Sequence, residues 1–119
     1  MSVTLPIEGI TVKVITQSTW CNLIGYEGFT LGSTIRLKGH PLSVRPELLC
    51  HEFGHVLQFR ERGIIKGGLQ YLWDLARYGY NRGMPEEADA IKYQETQWST
   101  GKSATWLGYV AKIQHLNNV

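Results

Sequence analysis

Residues 50–58 read C-H-E-F-G-H-V-L-Q. On a helix, side chains four apart lie one above the other on a single face. His51 and His55 would then present two imidazole nitrogens at a separation that lets them share one zinc ion. Glu52 is rotated by about 100° from His51, so it can reach a water on that metal without ligating it. This is the H-E-x-x-H arrangement of two ligands and a general base. The surrounding residues favour a helix. Ser43 is placed to cap it, and Pro46 and Glu47 suit an opening turn. Leu48, Leu49, Phe53, Val56, Leu57 and Phe59 surround most of it, which predicts a central, buried helix ending at Gly63. A buried glutamate without a partner is costly, which weighs against three idle polar residues.

Outward from this helix, the first third of the chain reads as strand and turn. T-V-K-V-I-T (11–16) and T-I-R-L (34–37) are short and β-branched, which predicts a small antiparallel pair. G-Y-E-G-F-T-L-G-S (25–33) between them carries three glycines and reads as loop. Downstream, a helix is expected over Leu69 to Tyr78, stopping at Gly79, with N-R-G (81–83) as a turn. Another helix opens at Pro85, with Glu86 and Glu87 in its first turn, and runs to about Trp98. After S-T-G-K-S (99–103), a last helix over 104–116 is weakened by Gly108. The fold class is therefore α+β: a short antiparallel sheet on the N-terminal side packed on three to four helices, in a single domain spanning 1–119.

Zinc takes about four ligands, and a catalytic site leaves one position for water. A third protein ligand is therefore required. Gln58 to Arg62 supplies neither the glycine nor the histidine of the extended H-E-x-x-H-x-x-G-x-x-H pattern. His40 and His115 are distant in sequence. M-P-E-E-A-D-A (84–90) offers three acids where the helix dipole favours ionised carboxylate. Ala90 follows Glu87 by one turn on the same face and is small enough for two helices to approach. This favours Glu87 over Glu86, and either over the shorter Asp89. Asp89 is expected instead to orient a ligating imidazole, and Gln58 is a further candidate around the site. An oxyanion-stabilising donor is expected among Tyr71, Tyr78, Tyr80 and His115. Cys50, beside His51, reads as a small buried hydrophobe.

Together, His51-Glu52-x-x-His55, the helical connection and Pro85-x-Glu87-x-Asp89-Ala90 resemble the gluzincin group of zinc metallopeptidases. The likeness is closer to small bacterial and phage-encoded peptidases with H-E-x-x-H-x-x-Q, an aromatic-rich middle helix and an acidic E-x-[DE]-A motif. Gln58 and Y-L-W-D-L-A-R-Y-G-Y (71–80) fit that pattern, and the resemblance covers about residues 34 to 94. It implies a minimal zincin-like core and one Zn2+ per chain. It also implies a peptide or protein substrate cut with Glu52 as general base, and T-I-R-L as the sheet edge that pairs with it. Thermolysin-like members place a further acid four residues after the ligand glutamate, where this chain has Ile91.

Composition bounds the alternatives. The chain has 119 residues, 43% hydrophobic and 18% charged, with a formal net charge of +2. This reads as globular, and the charge is too small to argue for nucleic acid or an anionic membrane. No basic cluster followed by an apolar run opens the sequence, and no apolar run is long enough to span a bilayer. Cys21 and Cys50 make no disulfide framework, so the cytoplasm or another reduced compartment is expected. T-G-K-S (100–103) is not a phosphate loop, because Thr96 stands where the required glycine would be. The apolar segment 103–119 is a candidate for lying over the cleft and keeping the enzyme latent. The functional alternative is a zinc-binding structural or interaction domain that does not cut, within a phage or toxin assembly. Oligomeric state is not indicated.

Overall fold

The computed structural model describes residues 1–118. The chain opens with a hairpin of β1 (Ser2–Ile7) and β2 (Ile10–Ile15). Its two-residue turn, Glu8-Gly9, holds both residues at positive φ, 48° and 78°, which matches the right-handed twist of the strands. Leu5, Ile7, Val12 and Val14 point to one side and are buried, while their neighbours face out. The sequence reading missed β1. Pro6 weakens the strand signal, but β1 lies at the sheet edge, where a missing N–H is tolerated.

A short helix, α1 (Thr19–Ile24), and strand β3 (Gly28–Leu31) follow, then β4 (Thr34–Leu37). The sheet order is β1-β2-β4-β3, with β4 parallel to β2 and antiparallel to β3. The sheet is thus mixed, not the expected antiparallel pair. Residues 11–16 and 34–37 are neighbours as expected, but α1 and β3 supply the crossover that a parallel pairing needs. Two further expectations are corrected. T-I-R-L is an interior strand, and the free edge beside the central helix is β3. Residues 28–31 of the supposed loop form that edge.

A 3-10 turn (Pro41–Ser43) leads to α2 (Pro46–Arg62). Ser43 sits inside this turn and does not cap α2. The cap position is Arg45, with no side-chain bond. α2 ends at Gly63, as expected, and α3 (Ile64–Tyr78) begins at once. That is five residues before the expected Leu69, because Gly67-Gly68 masks the first turns. α4 (Pro85–Ser99) and α5 (Ser103–Leu116) complete the fold. None of the helices among the described residues is long and apolar enough to cross a membrane.

α2 is the centre of the molecule, as its encircling apolar residues require. Leu49, Phe53 and Val56 meet the sheet residues Leu5, Ile7, Val12, Val14, Ile35 and Leu37 in one core. Trp106, Val110 and Ile113 of α5 join the same core. The Trp106 ring packs on Phe53, Tyr93 and Tyr109, and its Nε1 donates to Gln97 Oε1 at 3.1 Å. α5 therefore belongs to the core and packs on α2 and β1. It does not lie over the cleft, which corrects the latency expectation.

Candidate metal centre

The site begins with a glycine. A Cβ on Gly54 would lie 3.2 Å from Ala90 Cα and 3.4 Å from Ala90 Cβ. α2 and α4 meet backbone to backbone at this point, which is possible only because both residues are small. Ala90 was read as the residue allowing this approach; its partner Gly54, inside H-E-F-G-H, was not. His51 and His55 flank Gly54 on α2, and Glu87 lies one turn before Ala90 on α4. Close approach at one point thus brings three donor groups together at the next.

Glu87 Oε2 lies 2.8 Å from His51 Nε2, and Glu87 Oε1 lies 3.1 Å from His55 Nε2. The three potential ligand atoms all lie within 4.8 Å of one another, so the group could hold a metal ion. All three side chains are largely shielded, at 15%, 6% and 7% exposure for His51, His55 and Glu87. The tautomer of His55 is set by its neighbour. Gln58 Nε2 donates to the backbone carbonyl of Glu86 at 2.8 Å, so Gln58 Oε1 faces His55 Nδ1 at 2.9 Å. In the neutral ring Nδ1 carries the hydrogen and Nε2 points a lone pair at a carboxylate oxygen; in the protonated ring Nε2 donates to Glu87 Oε1. Two electron-rich atoms face each other there unless a positive species lies between them. A proton fills that role in acid, and a divalent cation fits it near neutrality. Two imidazole nitrogens and a carboxylate are a donor set that a metal ion could take.

The electrostatics agree. Burial alone would push the Glu87 carboxyl up, but hydrogen bonds from both histidines and their charges bring it down to about 2. Burial alone would pull His55 down, but the Glu87 bond and the Glu52 and Glu87 charges leave it raised. Glu52 is buried beside the cluster and outside the ligand set. Desolvation raises its pKa against the opposing pull of His55, His51 and a Thr30 hydrogen bond. Thr30 Oγ1, on β3, lies 2.9 Å from Glu52 Oε1 and 3.1 Å from the Glu52 carbonyl oxygen.

A cleft of about 240 Å3 opens on Glu52, His55 and Glu87. Its walls are apolar, with Ile24, Phe29 and Leu31 on one side and Phe59, Tyr71 and Tyr80 among the others. The Tyr71 ring stands edge-on to His55 at 6.3 Å between centroids. Tyr80 stacks on Tyr26 at 4.5 Å. Burial raises the pKa of both phenols, which keeps them protonated.

Other candidates fall elsewhere. Asp89 is exposed and touches neither imidazole. It follows Glu87 by two residues, about 200° around the helix, and Gln58 takes the orienting role expected of it. Tyr78 is exposed under the Arg77 guanidinium, outside the cleft. His115 is exposed on α5, also away from the cleft. His40 Nδ1 accepts from the Leu42 N–H in the turn before α2. Glu86 points away from the metal group toward Arg62, whose NH1 is 3.4 Å from its Oε1. Cys50 is a buried free thiol, pushed up to about 12 by burial and nearby glutamates. Thr30 was missed because its flanking glycines disguise a strand as a loop. The signal was the alternation in F-T-L beside T-I-R-L, two residues apart.

Comparison with protein-family models, curated proteins and solved structures found no match.

Proposed function

We propose that this chain is a zinc-dependent metallopeptidase of the gluzincin type, with His51, His55 and Glu87 as ligands and Glu52 as general base. The observation that carries this reading is the convergence of two imidazole Nε2 atoms on the Glu87 carboxylate, with Glu52 buried beside them but outside the ligand set. A zinc ion held there would lower the pKa of its water toward neutrality and polarise a scissile carbonyl.

The chain's own residues supply the rest. Glu52 accepts a proton on its carboxylate and passes it to the leaving amine. Its raised pKa suits both halves of that task. The Thr30 hydroxyl restrains one Glu52 oxygen, leaving the other free to turn toward the reacting atoms. β3 has an unpaired outer edge among the described residues, suited to an extended peptide that adds as a further strand. The protonated Tyr71 and Tyr80 hydroxyls, in the cleft walls, are the donors available to a developing oxyanion.

Glu52→Gln tests the reading, with hydrolysis of casein and of a mixed fluorogenic peptide pool as the assay. The variant should retain its metal and lose hydrolysis by a factor of about 10² to 10⁴. Unchanged hydrolysis would remove Glu52 from the mechanism. A metal-loaded native chain that cuts neither probe would favour a zinc-binding structural or interaction domain.

A further inference from the structure

α3 presents its apolar side to solvent. Its inner face holds Asp74 and Gly67, both buried. A Cβ on Gly67 would meet Phe59 Cδ1 at 3.1 Å. Its outer face carries Ile65, Leu69, Leu72 and Trp73, which are 80%, 64%, 62% and 66% exposed. Apolar patches of this size on a soluble chain mark surfaces that something covers. Ile65, Leu69, Leu72 and Ala76 are spaced four, three and four apart, the seam of a helix pair. No charged residue interrupts that seam. Lys66 and Trp73 share one border of it, and uncharged Gly68 and Leu75 form the other.

We propose that a second copy of this chain covers the seam, with the two α3 helices antiparallel about a two-fold axis. A two-fold interface needs a surface complementary to itself, and this one is. Antiparallel pairing sets Leu69 of one copy against Leu72 of the other, and Ile65 against Ala76. It also lays Lys66 of one copy beside the Trp73 ring of the other, a favourable cation–π placement. Parallel pairing would instead set the Lys66 and Trp73 border against the Gly68 and Leu75 border, without that contact. A membrane surface is the competing occupant, since Lys66 and Arg77 are exposed beside the apolar side as on an interfacial helix, and the vesicle assay below separates the two. Covering the exposed side chains on both copies removes on the order of 1,000 Å2, the lower bound for a specific interface. The dimer is therefore reversible and concentration-dependent. Because Tyr71 of the same helix lines the cleft, the second copy stands near its lip. The proposal rests on α3 alone and is independent of the metal centre.

Sedimentation velocity from low to hundred-micromolar concentration tests it, with anionic phosphatidylglycerol vesicles in a parallel binding assay. The native chain should pass from 13.5 kDa to twice that mass. Leu69→Lys and Leu72→Glu should each remain monomeric, with unchanged circular dichroism because both sites face solvent. Mixing the two variants should restore a dimer, because lysine at 69 then faces glutamate at 72. A native chain that stays monomeric throughout, with or without vesicle binding, would overturn the proposal. So would a dimer unaffected by either substitution.

Discussion

At the scale of the residue, the centre is governed by what lies between Glu87 and the two imidazoles. In the metal-free chain a proton serves. Glu87 is depressed to about 2 from an ordinary value of 4.5. Its contribution to stability is present above the ordinary value and is lost as pH falls through the depressed one. His55 works in the opposite sense. Its pKa is raised above 6.5, so its contribution is full below that value and is lost as pH rises through the folded pKa. Glu52 adds to the same trend, because ionising a carboxyl with a raised pKa costs stability as pH climbs past its ordinary value. The metal-free chain should therefore melt at a lower temperature near pH 8 than near pH 6. Zinc should reverse that order, because it binds only deprotonated imidazole. Thermal melts across this range, with and without zinc, check both signs. A metal-free chain that is more stable near pH 8 would contradict the assignment of His55 and Glu52. Much of this chemistry is legible in the sequence. H-E-x-x-H marks two of the three members of the group that could hold a metal, and Ala90 points to Glu87 over Glu86 as the third. Asp89 misleads because its type suits a supporting role while its helical angle turns it to solvent. Gln58 fills that role, three residues after His55.

At the scale of the element, the site depends on how closely α2 and α4 approach. Gly54 and Ala90 set that distance. Gly54→Val would drive its side chain into the Ala90 backbone, which cannot yield as a flexible side chain would. A cost of about 1–3 kcal/mol is expected, together with weaker zinc binding as Glu87 is pushed away. Chemical denaturation and a zinc titration would measure the two effects. Full stability and unchanged affinity would mean that the helices are not held at this point. The helices were mostly legible because proline, acidic first turns and terminal glycines mark their ends. The start of α3 was hidden by Gly67-Gly68. The sheet was less legible. β3 is short and bracketed by glycines, and nothing local signals that β4 inserts between β2 and β3. Strand order is decided by long-range pairing, which no window of sequence contains.

At the scale of the whole molecule, the C-terminal helix belongs to the core and is not a cover for the cleft. Trp106 and Ile113 are fully buried and Val110 is nearly so. Burying each such side chain is worth about 1.5–3 kcal/mol, against a typical total stability of about 5–15 kcal/mol. Removing residues from Ser103 onward should therefore abolish cooperative unfolding, as read by a calorimetric melt. A truncated chain that folds and gains activity would restore the idea of a latency segment. The α+β class and the central position of α2 were legible because apolar residues encircle that helix. The core contribution of α5 was not, because Gly108 and the exposed Leu107 blur its apolar face.

His51, His55 and Glu87 converge into one group that could hold a metal ion. The most direct test that they hold one is zinc per chain, measured by elemental analysis of the native protein, Glu87→Ala and Glu86→Ala. The native chain and Glu86→Ala should each hold about one zinc, the stoichiometry of a single catalytic site, while Glu87→Ala should lose most of it. A native chain that takes up no zinc when supplied with it, or a Glu87→Ala variant that keeps its full complement, would contradict the central claim.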